Sequence, residues 1–107
     1  MRGDFVTIAM PGDFGKPRPA LVIQANQFYE HATVTVLLVS SNLVDAPLLR
    51  ITVAPTVTNG LPKISQVMLD KVMTVKRETL GPAFGQIDAN RLVEIERCLA
   101  VFLGIAK

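Results

Sequence analysis

Apolar residues in this chain fall in short, largely β-branched runs cut by turn residues, and only the last quarter changes period. Asp4 to Met10 is one such run, and the Pro11-Gly12-Asp13 turn signal after it predicts that a first strand ends there. Pro11 to Pro17 mixes proline, glycine and both charge signs around Phe14, which is the composition of an exposed loop in which an aromatic is unusual. Ala20 to Gln24 and Thr33 to Val39 are rich in Val, Leu, Ile and Thr and predict two central strands, separated by a polar stretch around Asn26 and His31. Leu48 to Val53, bounded by Pro47 and Pro55, predicts another, and a Thr58-Asn59-Gly60-Leu61-Pro62 turn cluster follows. Ser65 to Leu69 and Lys71 to Val75 supply two further short candidates. Strands this short and this closely spaced predict a small antiparallel barrel or sandwich. After Asp88, a good N-cap, Leu92, Ile95, Leu99 and Phe102 recur at three- and four-residue steps with Glu94, Glu96 and Arg97 between them. This is an amphipathic helix whose apolar stripe is expected in the core, with Cys98 a small buried or interface residue; Gly104 is placed to close its last turn. The fold class is therefore mainly β with a C-terminal α-helix.

Composition narrows this picture. At 107 residues the chain has room for one core, and no linker, repeat or low-complexity tract divides it, so residues 1–107 are expected to form a single domain. Half the residues are hydrophobic and only 19% charged, more apolar surface than so small a domain hides, which points to a partner subunit. A net charge of +2, spread along the chain, permits nucleic-acid binding without demanding it. The single cysteine, Cys98, forms no intramolecular disulfide and has no zinc-type spacing around it, which fits a reducing cytoplasm. The first segment carries Arg2 and Asp4 and meets Pro11 before any long apolar core, so it does not read as a secretory leader. No stretch approaches the ~18 apolar residues of a membrane helix.

Three pieces of sequence, in order, resemble the MazF/PemK family of toxins. Arg2-Gly3-Asp4 runs straight into an apolar strand; Pro17-Arg18-Pro19-Ala20-Leu21-Val22-Ile23-Gln24 follows that family's Arg-Pro-Ala signature almost letter for letter; and Val39-Ser40-Ser41-Asn42 ends a hydrophobic strand where the family usually has Thr. Gly60-Leu61-Pro62-Lys63-Ile64-Ser65-Gln66-Val67, Asp70 and the final helix keep to the same outline, so the likeness spans nearly the whole chain. The resemblance implies a small SH3-like barrel of the MazF/CcdB type and a homodimer. It also implies a toxin of a type II toxin-antitoxin system that cuts single-stranded RNA without a metal or other cofactor, and an antitoxin partner whose disordered segment folds across the active groove. In the mechanism it implies, the substrate's own 2′-hydroxyl attacks the adjacent phosphate and leaves a 2′,3′-cyclic phosphate and a free 5′-hydroxyl.

The residues suit such a site. Arg18 stands between two prolines that restrict the backbone, and a guanidinium matches phosphate oxygens while staying charged at any cellular pH, which makes it a phosphate clamp and a poor general base. Ser40, at the end of an apolar run, offers a hydroxyl to a phosphate oxygen or the leaving group; it keeps the oxygen of the usual Thr and loses the methyl that limits rotamers. Taken alone, Ser40-Ser41-Asn42 also reads as a turn capping a strand. Arg18 and Ser40 are the candidate catalytic residues. Phe14, Lys16, Ser41 and Asn42 are candidate substrate contacts, the first two by stacking on RNA and by touching phosphate. Arg50 and Lys63 either extend a positive track or are ordinary solvated charges. His31, Asp13 and Asp45 read as solvated turn residues, and neither a Ser-His-Asp arrangement nor a Walker-type loop is present.

Two other readings share the barrel. A gyrase poison of the CcdB type kills without cutting RNA, but this chain lacks tryptophan and any Trp-Gly-Ile tail. A weakened member that binds antitoxin or RNA without turnover is consistent with Ser40 standing where Thr is usual.

Overall fold

A computed structural model describes residues 1–9 and 16–107. Six antiparallel strands, β1 (Asp4–Ala9), β2 (Pro17–Val22), β3 (Thr33–Ser40), β4 (Arg50–Val53), β5 (Ser65–Lys76) and β6 (Gly85–Gln86), form one sheet in the order β4-β5-β3-β2-β1-β6. The sheet curves into a half-barrel, and helix α1 (Ala89–Phe102) crosses it. Single 3-10 turns at Asn26–Phe28 and Arg77–Thr79 connect the strands.

Strand alternation divides the core in two. Phe5, Leu21, Leu37, Val39, Ile51, Val53, Val67 and Leu69 form one cluster with Ile87 and Ile95, against which Leu92, Cys98 and Leu99 pack. Val6, Ile8, Ala20, Val22, Val34 and Val36 form the other, with Leu38, Met73, Val75 and Leu80 around them. Burying each of the larger side chains contributes about 1.5–3 kcal/mol, which is why β-branched runs too short to be stable alone hold together here.

The two strands expected at Ser65 to Leu69 and Lys71 to Val75 are one continuous strand with a bulge. Leu37 faces Val72 whereas Val39 faces Val67, so β5 advances five residues while β3 advances two. The bulge turns β5 over: Val67 and Leu69 join the helix-side core, while Met73 and Val75 join the other cluster. Elsewhere the boundaries move. β2 begins at Pro17 and ends at Val22, and β4 begins at Arg50 because residues 46–49 form a turn in which Ala46 O accepts from Leu49 N and Arg50 N.

Asp88 caps α1 as expected, its side chain accepting from Arg91 N at 3.1 Å. Gly104, at φ +76°, follows the helix in the left-handed conformation. Ile95 is fully buried, but Phe102 is 46% exposed, so the apolar stripe leaves the core in its last turn. The Arg2-Gly3-Asp4 opening has a structural task. Arg2 donates to Ile23 O and pairs with Glu96 at 2.8 Å, tying the end of the sheet to the helix, while Gly3 turns the chain at φ +89°. Asp4 accepts from Gln86 Nε2 at 3.1 Å, joining β1 to β6.

Candidate functional site

The sheet leaves a cleft of about 340 Å³ at the end where β2 begins and β3 ends. Arg18 and Pro19 line one side, Val39, Ser40, Ser41 and Asn42 the next, and Leu61, Pro62, Lys63 and Ser65 the third. Four of the six site residues named from sequence therefore converge: Arg18, Ser40, Ser41 and Asn42. Lys16 is exposed immediately before β2, next to the strand that carries Arg18, and Phe14 lies outside the described residues.

Arg18 is the second residue of β2 and is paired with Ile8 of β1, so it is a strand residue rather than a loop arginine. β3 pairs with β2 only over Ala20–Val22, which leaves the Pro17-Arg18-Pro19 end of β2 with a ladder on one side alone. Prolines are tolerated where a strand has such an unladdered side, because the N–H they lack has no partner to lose. Continuing the β2–β3 register beyond Ala20↔Leu38 sets Arg18 opposite Ser40 on one face of the sheet.

Ser40 is half-buried at the end of β3, and its Oγ accepts from Asn42 N at 3.0 Å. The turn reading and the site reading of Ser40-Ser41-Asn42 thus both hold: one lone pair anchors the turn, and the hydroxyl proton stays available to the cleft. The third wall is built by Asn59. Its buried side chain accepts from Thr56 N and Leu61 N, each at 3.0 Å, and donates to Ala54 O at 2.9 Å. Gly60 follows at φ +66°, where a Cβ would stand 2.4 Å from Phe84 O, so only glycine lets this turn pack against the chain entering β6. Beyond it, Ser65 Oγ donates to Lys63 O at 2.9 Å and fixes the backbone that carries the lysine.

Arg18 and Lys63 are the charged residues lining the cleft, with serine hydroxyls and an amide around them and no carboxylate among the described residues. That combination attracts and orients a phosphate. Arg50, the other candidate for a positive track, is instead paired with Asp70 and mostly buried, so its charge is spent inside the fold. Burial pushes the Asp70 carboxyl up, but the Arg50 hydrogen bond, the residue's own backbone amide and the charges of Arg50 and Lys71 outweigh it and hold the group below its ordinary range.

Sequence reading assigned no site role to Pro19, Leu61, Pro62, Ser65 or Gln66, although Pro19 stands in the Arg-Pro-Ala signature and the others in the Gly60-to-Val67 stretch that keeps to the family's outline. A turn cluster does not by itself say which cleft it borders.

The family model for PemK-like, MazF-like toxins of type II toxin-antitoxin systems matches residues 1–103, and the chain belongs to that family. It is 46% identical over 106 residues to the probable endoribonuclease MazF of Mycolicibacterium smegmatis, covering 98% of this chain and 97% of the relative. Among solved structures it is similar to an endoribonuclease in complex with its cognate antitoxin from a mycobacterial species, with a TM-score of 0.82 at 21% identity over 100% of this chain and 97% of the other. It is also similar to MazF in the MazE-MazF complex of Deinococcus radiodurans, with a TM-score of 0.78 at 21% identity over 98% and 95% of the two chains. At that identity the structures show the fold: a half-barrel with one C-terminal helix.

Proposed function

We propose that the chain is the toxin of a type II toxin-antitoxin pair and acts as an endoribonuclease on single-stranded RNA. The observation that carries this reading is the convergence of Arg18, Ser40 and Lys63 on one cleft. In this reading Arg18 clamps the scissile phosphate and stabilises the charge that builds on its oxygens. The adjacent 2′-hydroxyl passes its proton to solvent water as its oxygen bonds to phosphorus, the bond from phosphorus to the 5′-oxygen breaks, and that oxygen takes a proton from water. The Ser40 hydroxyl donates to a phosphate oxygen or to the departing 5′-oxygen. Because the nucleophile comes from the RNA, the reaction needs no protein nucleophile, and the Arg18 guanidinium supplies the positive charge that a metal ion would otherwise bring to the phosphate. Ser41, Asn42 and Lys63 seat the flanking nucleotides, and Phe14 and Lys16 contact the strand as it leaves the cleft.

The toxin works as one domain and as a homodimer in the cytoplasm. Support for the dimer is the apolar end of α1: Val101 and Phe102 are about half exposed, and with Leu48, Leu49, Cys98 and the Arg97 stem they line a groove of about 340 Å³. Among the described residues no helix is long and apolar enough to cross a membrane. An antitoxin partner is supported by the relatives whose structures are complexes with their antitoxins.

The test is incubation of the purified protein with a long single-stranded RNA in EDTA, beside Arg18→Ala and Ser40→Ala, and induced expression in cells. Cuts lost in both variants, together with growth arrest that needs Arg18, are the expected result. Growth arrest with intact RNA would move the protein to the non-cleaving, gyrase-binding class.

A further inference from the structure

We infer that Gln66 is a positioning residue: its side-chain amide holds the segment bearing Ser41 and Asn42 in the shape that receives RNA. The inference rests on the ribonuclease reading above. Gln66 is 5% exposed and stands on β5 directly across from Ser40 on β3 and Thr52 on β4. Its amide makes three hydrogen bonds. Oε1 accepts from Val44 N at 3.0 Å, and Nε2 donates to Val44 O at 3.0 Å and to Thr52 Oγ1 at 3.1 Å.

The first two bonds present to Val44 one donor and one acceptor, as the backbone of a neighbouring strand would, so the side chain extends the sheet to a residue beyond the last residue of β3. The third ties the amide to the edge strand, while the donor and acceptor of Val44 fix which end is oxygen and which nitrogen. Residues 41–44 are thus clamped at both ends, by Ser40 Oγ on Asn42 N and by Gln66 on Val44. Without the second clamp, Leu43 and Val44, both nearly half exposed and in neither core cluster, have little apolar contact to keep the segment in place. Ser40 belongs to β3 and keeps its place either way. Loss of the clamp should therefore weaken the grip on RNA more than the chemical step.

The experiment compares the native protein with Gln66→Met, which keeps length and apolar bulk but removes all three bonds, and with Thr52→Val, which removes one. Steady-state cleavage of a single-stranded RNA oligonucleotide and hydrogen exchange of the Val44 amide are both read. The expected result for Gln66→Met is a KM raised about tenfold with kcat within about threefold, and faster Val44 exchange in a protein that still unfolds cooperatively. Thr52→Val should shift KM and exchange in the same direction by less. Native KM and native Val44 exchange in Gln66→Met would overturn the inference, as would a fall in kcat at unchanged KM. A native protein that cuts no RNA would sink the ribonuclease reading instead, and Val44 exchange would then decide alone whether Gln66 holds the segment.

Discussion

Arg18 and Ser40 come from different strands, yet the register that pairs Ala20 with Leu38, Leu21 with Leu37 and Val22 with Val36 runs on to set them opposite each other at the rim of the sheet. Both line the same cleft. The ladder itself stops short of them, because the proline-flanked end of β2 pairs only with β1, and the opening this leaves is the candidate site. Strand register rather than a loop sets the backbone positions of the two residues, which suits the catalytic roles proposed for them.

Arg18 lies at the exposed start of β2, outside both core clusters, and its replacement tests the phosphate clamp proposed for it. Arg18→Ala should cut kcat/KM about 10²–10³-fold, the scale of losing one oriented donor to a developing oxyanion. Arg18→Lys should recover little of this, because an ammonium has no planar fork to match two phosphate oxygens. Melting curves recorded beside the kinetics would separate this from unfolding.

Replacing Ser40 tests the departure from the family's usual residue. Ser40→Ala removes both the hydroxyl proton and the acceptor of Asn42 N, and cleavage should fall about tenfold or more. Ser40→Thr keeps both and adds a methyl that restricts χ1 at a strand end, so its rate should equal or exceed that of the native protein. A lower rate in Ser40→Thr would mean that the third wall has no room for the methyl.

Much of this arrangement was legible in the sequence, and the parts that were not share a cause. Local pattern identified β1 to β5, the Asp88 cap and the helix, since each depends on residues close in the chain, whereas the two-residue β6 carries no pattern of its own. Arg18 and Ser40 stood out because their neighbours form a recognisable signature. What stayed hidden depends on pairing between distant segments: the bulge that joins the two halves of β5, the ion pair that withdraws Arg50, and Gln66, whose role appears only when Val44 and Thr52 are brought beside it. Phe102 shows the converse, since its spacing matched the core stripe but the core ends a turn earlier.

Gly60 carries the third wall of the cleft, and Gly60→Ala combines a left-handed backbone with a Cβ overlapping Phe84 O. It should cost more than about 1 kcal/mol, lowering the melting temperature by roughly 4–8 °C for each kcal/mol in a domain of this size. Differential scanning calorimetry would read the shift, and an unchanged melting temperature would show that the turn relaxes freely.

Asp70 gives the fold a pH dependence of known sign. Its carboxyl is held below its ordinary value in the folded protein, so it contributes stability in full above the unfolded value near 3.8, and that contribution is lost as pH falls through the lower folded value. Asp70→Asn should be less stable than the native protein at neutral pH, and the difference should narrow on acidification below about pH 4. Melting temperatures across that range check this; a constant gap would mean that Arg50 pairing adds nothing through charge.

The proposed homodimer would use the apolar end of α1. Phe102→Asp places a charge in the groove lined by Leu48 and Val101 and should convert the dimer to monomers in sedimentation velocity. Persistence of the dimer would move the interface to another face.

The most direct measurement is cleavage of an RNA oligonucleotide carrying a single 2′-deoxy nucleotide at a mapped cut site, with the ends of the products from the unmodified strand identified. The deoxy position should not be cut, because the nucleophile is gone, and the unmodified strand should yield 2′,3′-cyclic phosphate and 5′-hydroxyl ends. Cutting at the deoxy position would show that the nucleophile is not the RNA's own 2′-hydroxyl, and would contradict the mechanism built on Arg18 and Ser40.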